Sequence, residues 1–188
     1  MDQVELAKKW VVENSDLPAD YYCSNSAVFQ SRLVKLQEEL SGAMDEKLKK
    51  TFPLTVAVAG EIGNNSFDHN LGNWPDIPGI LFAYDLSQRQ IVLADRGQGI
   101  LRTLKRSKPS LTNDQEALIT AFTETISGRA PENRGNGLKF VREVIIKNQM
   151  QLSFQTGNAN LELRYGERDL TVKKMEPVFR GCLAVIKF

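Results

Sequence analysis

Apolar positions along the chain change their period several times, and each change predicts an element. Val4, Leu6, Ala7, Trp10 and Val11 share one face of a short helix over Val4 to Val12. Val28, Leu33, Leu36, Leu40, Met44 and Leu48 recur three to five apart, which predicts a long amphipathic helix from Ser26 to Lys50, weakened by Gly42. Its other side (Lys35, Glu38, Glu39, Asp45, Lys49) is a solvated face or a partner-binding one. Pro53 suits the first turn of a further helix running from about Leu54 to Asn70. The two prolines and two glycines of residues 72–79 predict a loop. Ile80 to Leu86 and Gln90 to Asp95, joined at Ser87-Gln88-Arg89, predict a β-hairpin.

Residues 96–136 are polar and irregular, with one helix expected from Asp114 to Ile126. Leu138, Val141, Val144 and Ile145 predict a helix over Leu138 to Asn148. The tail predicts three or four strands at Leu152–Thr156, Leu161–Tyr165, Leu170–Val172 and Cys182–Phe188, with a turn at Gly157-Asn158. This order points to an α+β fold, a two-layer sandwich with helices on one face of a mixed sheet. The division expected is an N-terminal helical extension, 1–50, and a main domain, 51–188.

Composition narrows the picture. The chain has 188 residues, 24 Lys+Arg against 23 Asp+Glu, and a net charge of +1. A chain of this length buries roughly 70% of its unfolded surface, so it needs no disulfide or metal staple. The near-zero charge argues against broad binding to nucleic acid or to a membrane surface. The longest apolar run, Leu54 to Ala59 around Thr55, is too short to cross a bilayer. The start of the chain shows no leader pattern, and Cys23 and Cys182 read as free thiols, so the expected location is cytoplasmic. The single histidine, His69, excludes a His-rich metal site.

Three groups carry candidate chemistry. Glu61, Asn65 and His69 are spaced four and four on one helix face. A carboxylate there can deprotonate a nucleophile, and an amide oxygen can ligate Mg²⁺, which favours oxygen donors and phosphates. Asp95-Arg96-Gly97-Gln98-Gly99 follows a strand, where Asp95 can accept from an exocyclic amine such as that of adenine. Arg134-Gly135-Asn136-Gly137-Leu138-Lys139 opens a helix, whose free N–H groups suit a phosphate. Each alone also fits a structural role: a polar face, a plain turn, a helix start. The GxxxxGK[ST] loop is absent, Phe140 stands where a dinucleotide fingerprint has its third glycine, and neither H-R-D nor D-F-G occurs.

In this order the three groups resemble the GHKL ATPase superfamily, which includes histidine-kinase catalytic domains, anti-sigma-factor kinases, gyrase B, Hsp90 and MutL. The resemblance spans residues 54–188, with Glu61 to Asn65 as the N box, Asp95 to Gly99 as the first glycine box and Arg134 to Leu138 as the second. It implies a Bergerat-type sandwich binding ATP and Mg²⁺. Glu61 would be the base and Asn65 the metal ligand. Asp95 would read adenine, with Gly97 and Gly99 beneath the nucleotide. His69, Arg134, Gly135, Gly137, Leu138 and Lys139 would lie at the phosphates, with Arg129 a further candidate contact.

Residues 100–134 would form a lid. With no second histidine, the chain has no phosphoacceptor helix of a sensor kinase. The resemblance thus implies a stand-alone module, closest in size to the anti-sigma kinases, that hydrolyses ATP or phosphorylates a partner protein. The alternative is an ATP-controlled binding module with little turnover. A protein partner is expected, and the N-terminal helices offer a route to a homodimer.

Overall fold

Strand alternation decides the architecture. A computed structural model describes residues 2–13, 15–42, 45–125 and 136–188. Its five-stranded sheet contains β1 (Tyr22–Cys23), β2 (Ile80–Asp85), β3 (Gln90–Asp95), β4 (Gln151–Arg164) and β5 (Thr171–Lys187), in the order β1-β2-β3-β5-β4. Ile80, Phe82, Ile91, Leu93, Ala184 and Ile186 face one side; Leu81, Ala83, Val92, Ala94 and Leu183 face the other. Every residue of β3 is buried, so both faces need cover.

The first face is covered by α2 (Ser26–Ser41), α3 (Glu46–Asn70), α4 (Gly99–Leu104), α5 (Asp114–Thr123) and α6 (Gly137–Lys147). This is the expected α+β sandwich. The other face is not bare, because α1 (Gln3–Glu13) buries Ala7, Trp10 and Val11 on it. The apolar residues that alternation directs to that face supply the reason.

The sheet is antiparallel at every pairing rather than mixed. β3 and β4 run the same way, but β5 returns between them and separates them. The tail forms two long strands instead of three or four short ones. Gly157-Asn158 is a bulge within β4, marked by register shifts around Gly157, and the Asn158 N–H donates to Asp114 at 3.0 Å.

The helix expected over 26–50 ends at Ser41, where Gly42 caps it. Phe29, Leu33, Leu36 and Leu40 spend its apolar face on the chain's own core. The next helix starts at Glu46 rather than near Pro53, which it carries inside its length, and it runs unbroken across residues 50 and 51. Of the segment read as irregular, Gly99–Leu104 is helical as well. No helix among the described residues is long and apolar enough to cross a membrane.

Candidate functional site

α3 organises the site by presenting two adjacent rows of side chains. Val58, Ile62, Ser66 and Asn70 lie four apart, and the row changes from apolar to polar as it reaches the end of β3. Val58 and Ile62 pack in the core. Ser66 Oγ donates to Asp95 Oδ2 at 2.8 Å. Asn70 Oδ1 accepts from the Gln98 N–H at 2.8 Å. The first glycine box is therefore fastened to α3 at two points.

Asp95 closes β3 on the face covered by α2 to α6 and is 2% exposed. Its Oδ1 accepts from the Gly97 N–H at 2.8 Å. Burial pushes its carboxyl above the ordinary value, against the lowering hydrogen bonds from Ser66, the Gly97 N–H and Cys182. With the Cys182 N–H and thiol both counted, these four donors match the about four acceptor positions of an ionised carboxylate, so a further donor would share or displace one of them. Beyond it, Gly99 has φ of +74°, a left-handed value that strains any residue with a Cβ. Thr156, fully buried on β4, accepts from the Ile100 N–H at 3.2 Å and donates to the Gly181 carbonyl at 2.8 Å. Burial, then the charge of Asp95, push the neighbouring Cys182 thiol well above its usual pKa.

The second row carries Glu61 and Asn65 toward the start of α6. A methyl group on Gly137 would lie 2.6 Å from Glu61 Oε2, 3.4 Å from Asn65 Nδ2 and 3.7 Å from Asn65 Oδ1. A side chain at this position would push the Glu61 carboxylate aside. Asn64, the other amide of the box, turns instead to Gln30 of α2, whose Nε2 donates to it at 2.7 Å. Gly63 presses on the Phe29 ring.

The remaining expected residues fall as follows. His69 continues the Glu61–Asn65 row, and its carbonyl accepts from Gln98 Nε2 at 3.2 Å. Leu138 packs against the main core. Lys139 Nζ donates to Thr125 Oγ1 at 2.9 Å, tying α6 to a residue of the expected lid. Arg129, Arg134 and Gly135 lie outside the described residues. Sequence reasoning missed Ser66, Asn70 and Thr156. The row 58, 62, 66, 70 held the signal for the first two, since polar residues that continue a core-facing apolar stripe need polar partners where they are covered.

Three donor types meet along α3: one carboxylate, one amide and a helix N-terminus. Among the described residues no cluster of three or more His, Cys, Asp or Glu could hold a metal by itself. A site with one protein oxygen fits a Mg²⁺ ion that takes its other ligands from phosphates and water. The close approach of Gly137 to Glu61 and Asn65 fits a nucleotide placed along the same helix.

No protein-family model matches the chain, and no curated protein does. Solved structures similar to it include three ATPase or ATP-binding domains. The gyrase B ATPase domain of Thermus thermophilus, in complex with an aminocoumarin, aligns at TM-score 0.40 and 17% identity over 69% of this chain and 32% of that one. The ATPase region of Saccharomyces cerevisiae topoisomerase II aligns at 0.45 and 14%, over 71% and 37%. The topoisomerase IV ATP-binding domain of Francisella tularensis, bound to a small-molecule inhibitor, aligns at 0.40 and 16%, over 75% and 39%. The chain thus spans under two-fifths of each of these chains.

Proposed function

We propose that the chain binds Mg-ATP along α3 and either hydrolyses it or passes its terminal phosphoryl group to a hydroxyl of a partner protein. One observation carries the reading: consecutive rows of one helix engage both glycine turns, Ser66 and Asn70 at the Asp95 turn, Glu61 and Asn65 at Gly137. Sequence order alone does not require this convergence. It supports a purine end at Asp95 and a phosphate end at the start of α6.

Each residue then has a role set by its chemistry. Asp95 accepts from the amine of the base. Asn65 offers an amide oxygen to the metal. The α6 N-terminus directs N–H groups and a positive dipole end at anionic phosphate. Glu61, beside that helix start, orients and deprotonates the attacking water or hydroxyl. Bound Mg-ATP would supply the transferable phosphoryl group and the charge neutralisation, leaving the protein mainly positioning and electrostatic work. Thr125 and Lys139 support contact between the lid and the phosphate end.

The test measures binding and turnover apart. Calorimetry with Mg-ATP gives affinity, and labelled phosphate release gives turnover, with and without candidate partner proteins. Asp95→Ala should abolish binding. Glu61→Ala should bind as the parent does and lose turnover. Tight binding with no turnover under any condition would refute the enzyme and leave an ATP-controlled binding module. No binding at all would refute both.

A further inference from the structure

The residue between Asp95 and Gly97 has no place in the functions above. Arg96 is buried, its side chain only 7% exposed, and strand alternation sends it to the face opposite Asp95. There it meets the end of α1. Its Nη1 donates to the Trp10 carbonyl at 2.6 Å and to the Val11 carbonyl at 2.8 Å. These are two of the four terminal carbonyls that a helix leaves without an internal partner. α1 has no basic residue of its own in its last turn, so Arg96 supplies that cation from 86 residues away.

The rest of the guanidinium grips Asp76 in the 72–79 loop, Nη2 at 2.6 Å and Nε at 3.1 Å. Asp76 in turn accepts from Arg180 at 2.8 Å. Arg180 precedes Gly181, which passes so close behind Asp95 that a methyl group on it would lie 2.1 Å from the Asp95 carbonyl oxygen. Burial opposes the Asp76 charge, but hydrogen bonds from Arg96 and the Ile77 N–H, with the charges of Arg96 and Arg180, hold its pKa below the ordinary value.

We infer that Arg96 is a positioning residue for the nucleotide site, fixing the Asp95 turn through α1 and Asp76, so that docking of α1 and recognition of the base are coupled. This rests on the reading of Asp95 as the acceptor for the adenine amine. Asp95 and Arg96 share one peptide plane, so the backbone at Arg96 cannot shift without moving Asp95. Arg96 has a fork of donors on three acceptors. Lysine keeps the charge but cannot span them.

The experiment compares ATP with inosine triphosphate, which lacks the exocyclic amine, on the full chain. The parent should prefer ATP by roughly tenfold or more, the effect of one charge-assisted hydrogen bond. Arg96→Gln should bring the ratio of the two Kd values toward one while changing inosine triphosphate affinity little; Arg96→Lys should fall between. A purely structural role would lower the active fraction for both ligands and leave the ratio alone.

Because coupling is reciprocal, ATP should slow hydrogen exchange at the α1 amides in the parent and not in Arg96→Gln. Asp76→Ala, on a side chain 26% exposed, gives the same readout if Arg96→Gln does not fold, and its ratio should also fall. An unchanged ratio in a folded variant, with ATP still protecting α1, overturns the coupling but not the ATP site. A parent that binds both nucleotides equally removes the adenine role of Asp95 and the inference with it.

Discussion

Gly137→Ala separates a shaped active site from an ordinary helix start. At the first position of a helix, Gly to Ala is by itself favourable, by up to about 1 kcal/mol. Here the new methyl carbon would stand 2.6 Å from Glu61 Oε2, where ordinary contact begins near 3.4 Å, so the oxygen must retreat by about 0.8 Å. That oxygen ends a flexible side chain, and the move is inexpensive. Asn65, at 3.4 Å, is undisturbed. Stability should therefore hold within about 1 kcal/mol of the parent, and Mg-ATP affinity within a few-fold. The base, however, is displaced by nearly the distance that costs on the order of a hundredfold in rate when reacting groups must align.

The assay is phosphate release at saturating ATP, beside thermal unfolding and calorimetry on the same samples. A drop in kcat of roughly tenfold to a hundredfold, with fold and binding retained, is the expected result. Equal kcat in a protein of equal stability would show that the position of Glu61 against the α6 start has no part in turnover.

Ser66→Ala removes a hydrogen bond from a buried carboxyl and should cost about 1.5–3 kcal/mol where that group is ionised, read by chemical denaturation. The folded pKa of Asp95 is raised, so its contribution to stability is full below its unfolded value and is lost as pH rises through the folded one. Losing the Ser66 donor raises that pKa further. The cost of Ser66→Ala should therefore shrink as the carboxyl becomes protonated in acid, and a cost independent of pH would contradict the environment assigned to Asp95. For the same reason, ATP affinity should start to fall at a higher pH than an ordinary carboxylate would impose, and Asp95→Asn should lose that dependence. Asn65→Ala should raise the Mg²⁺ concentration needed for half-maximal turnover; an unaltered Mg²⁺ titration would exclude Asn65 as a ligand.

What the sequence revealed, and what it hid, follows from the range of the interactions. The hairpin at 80–95, the helix at 137–147 and the Glu61–Asn65–His69 row were legible because each depends on neighbours within a few residues. The break at Gly42 was visible as a weak point, but periodicity carried across it, and Pro53 looked like a start because its local preference is for first turns. Long-range facts had no local mark. Nothing in Leu170 to Phe188 says that β5 returns between β3 and β4, which alone makes the sheet antiparallel throughout.

The site divides along the same line. Three short motifs suggest its parts, whereas the contact from α3 to Asp95 spans 29 residues and the one that anchors Arg96 on Trp10 spans 86. Arg96 stands inside a motif read for its aspartate and glycines, and its side chain leaves by the opposite face of the sheet. A strand places neighbouring residues on opposite faces, so a motif at a strand end addresses two layers at once. In this chain the inner layer holds the candidate nucleotide site and the outer one holds α1. The single peptide unit between Asp95 and Arg96 is the shortest mechanical path between them.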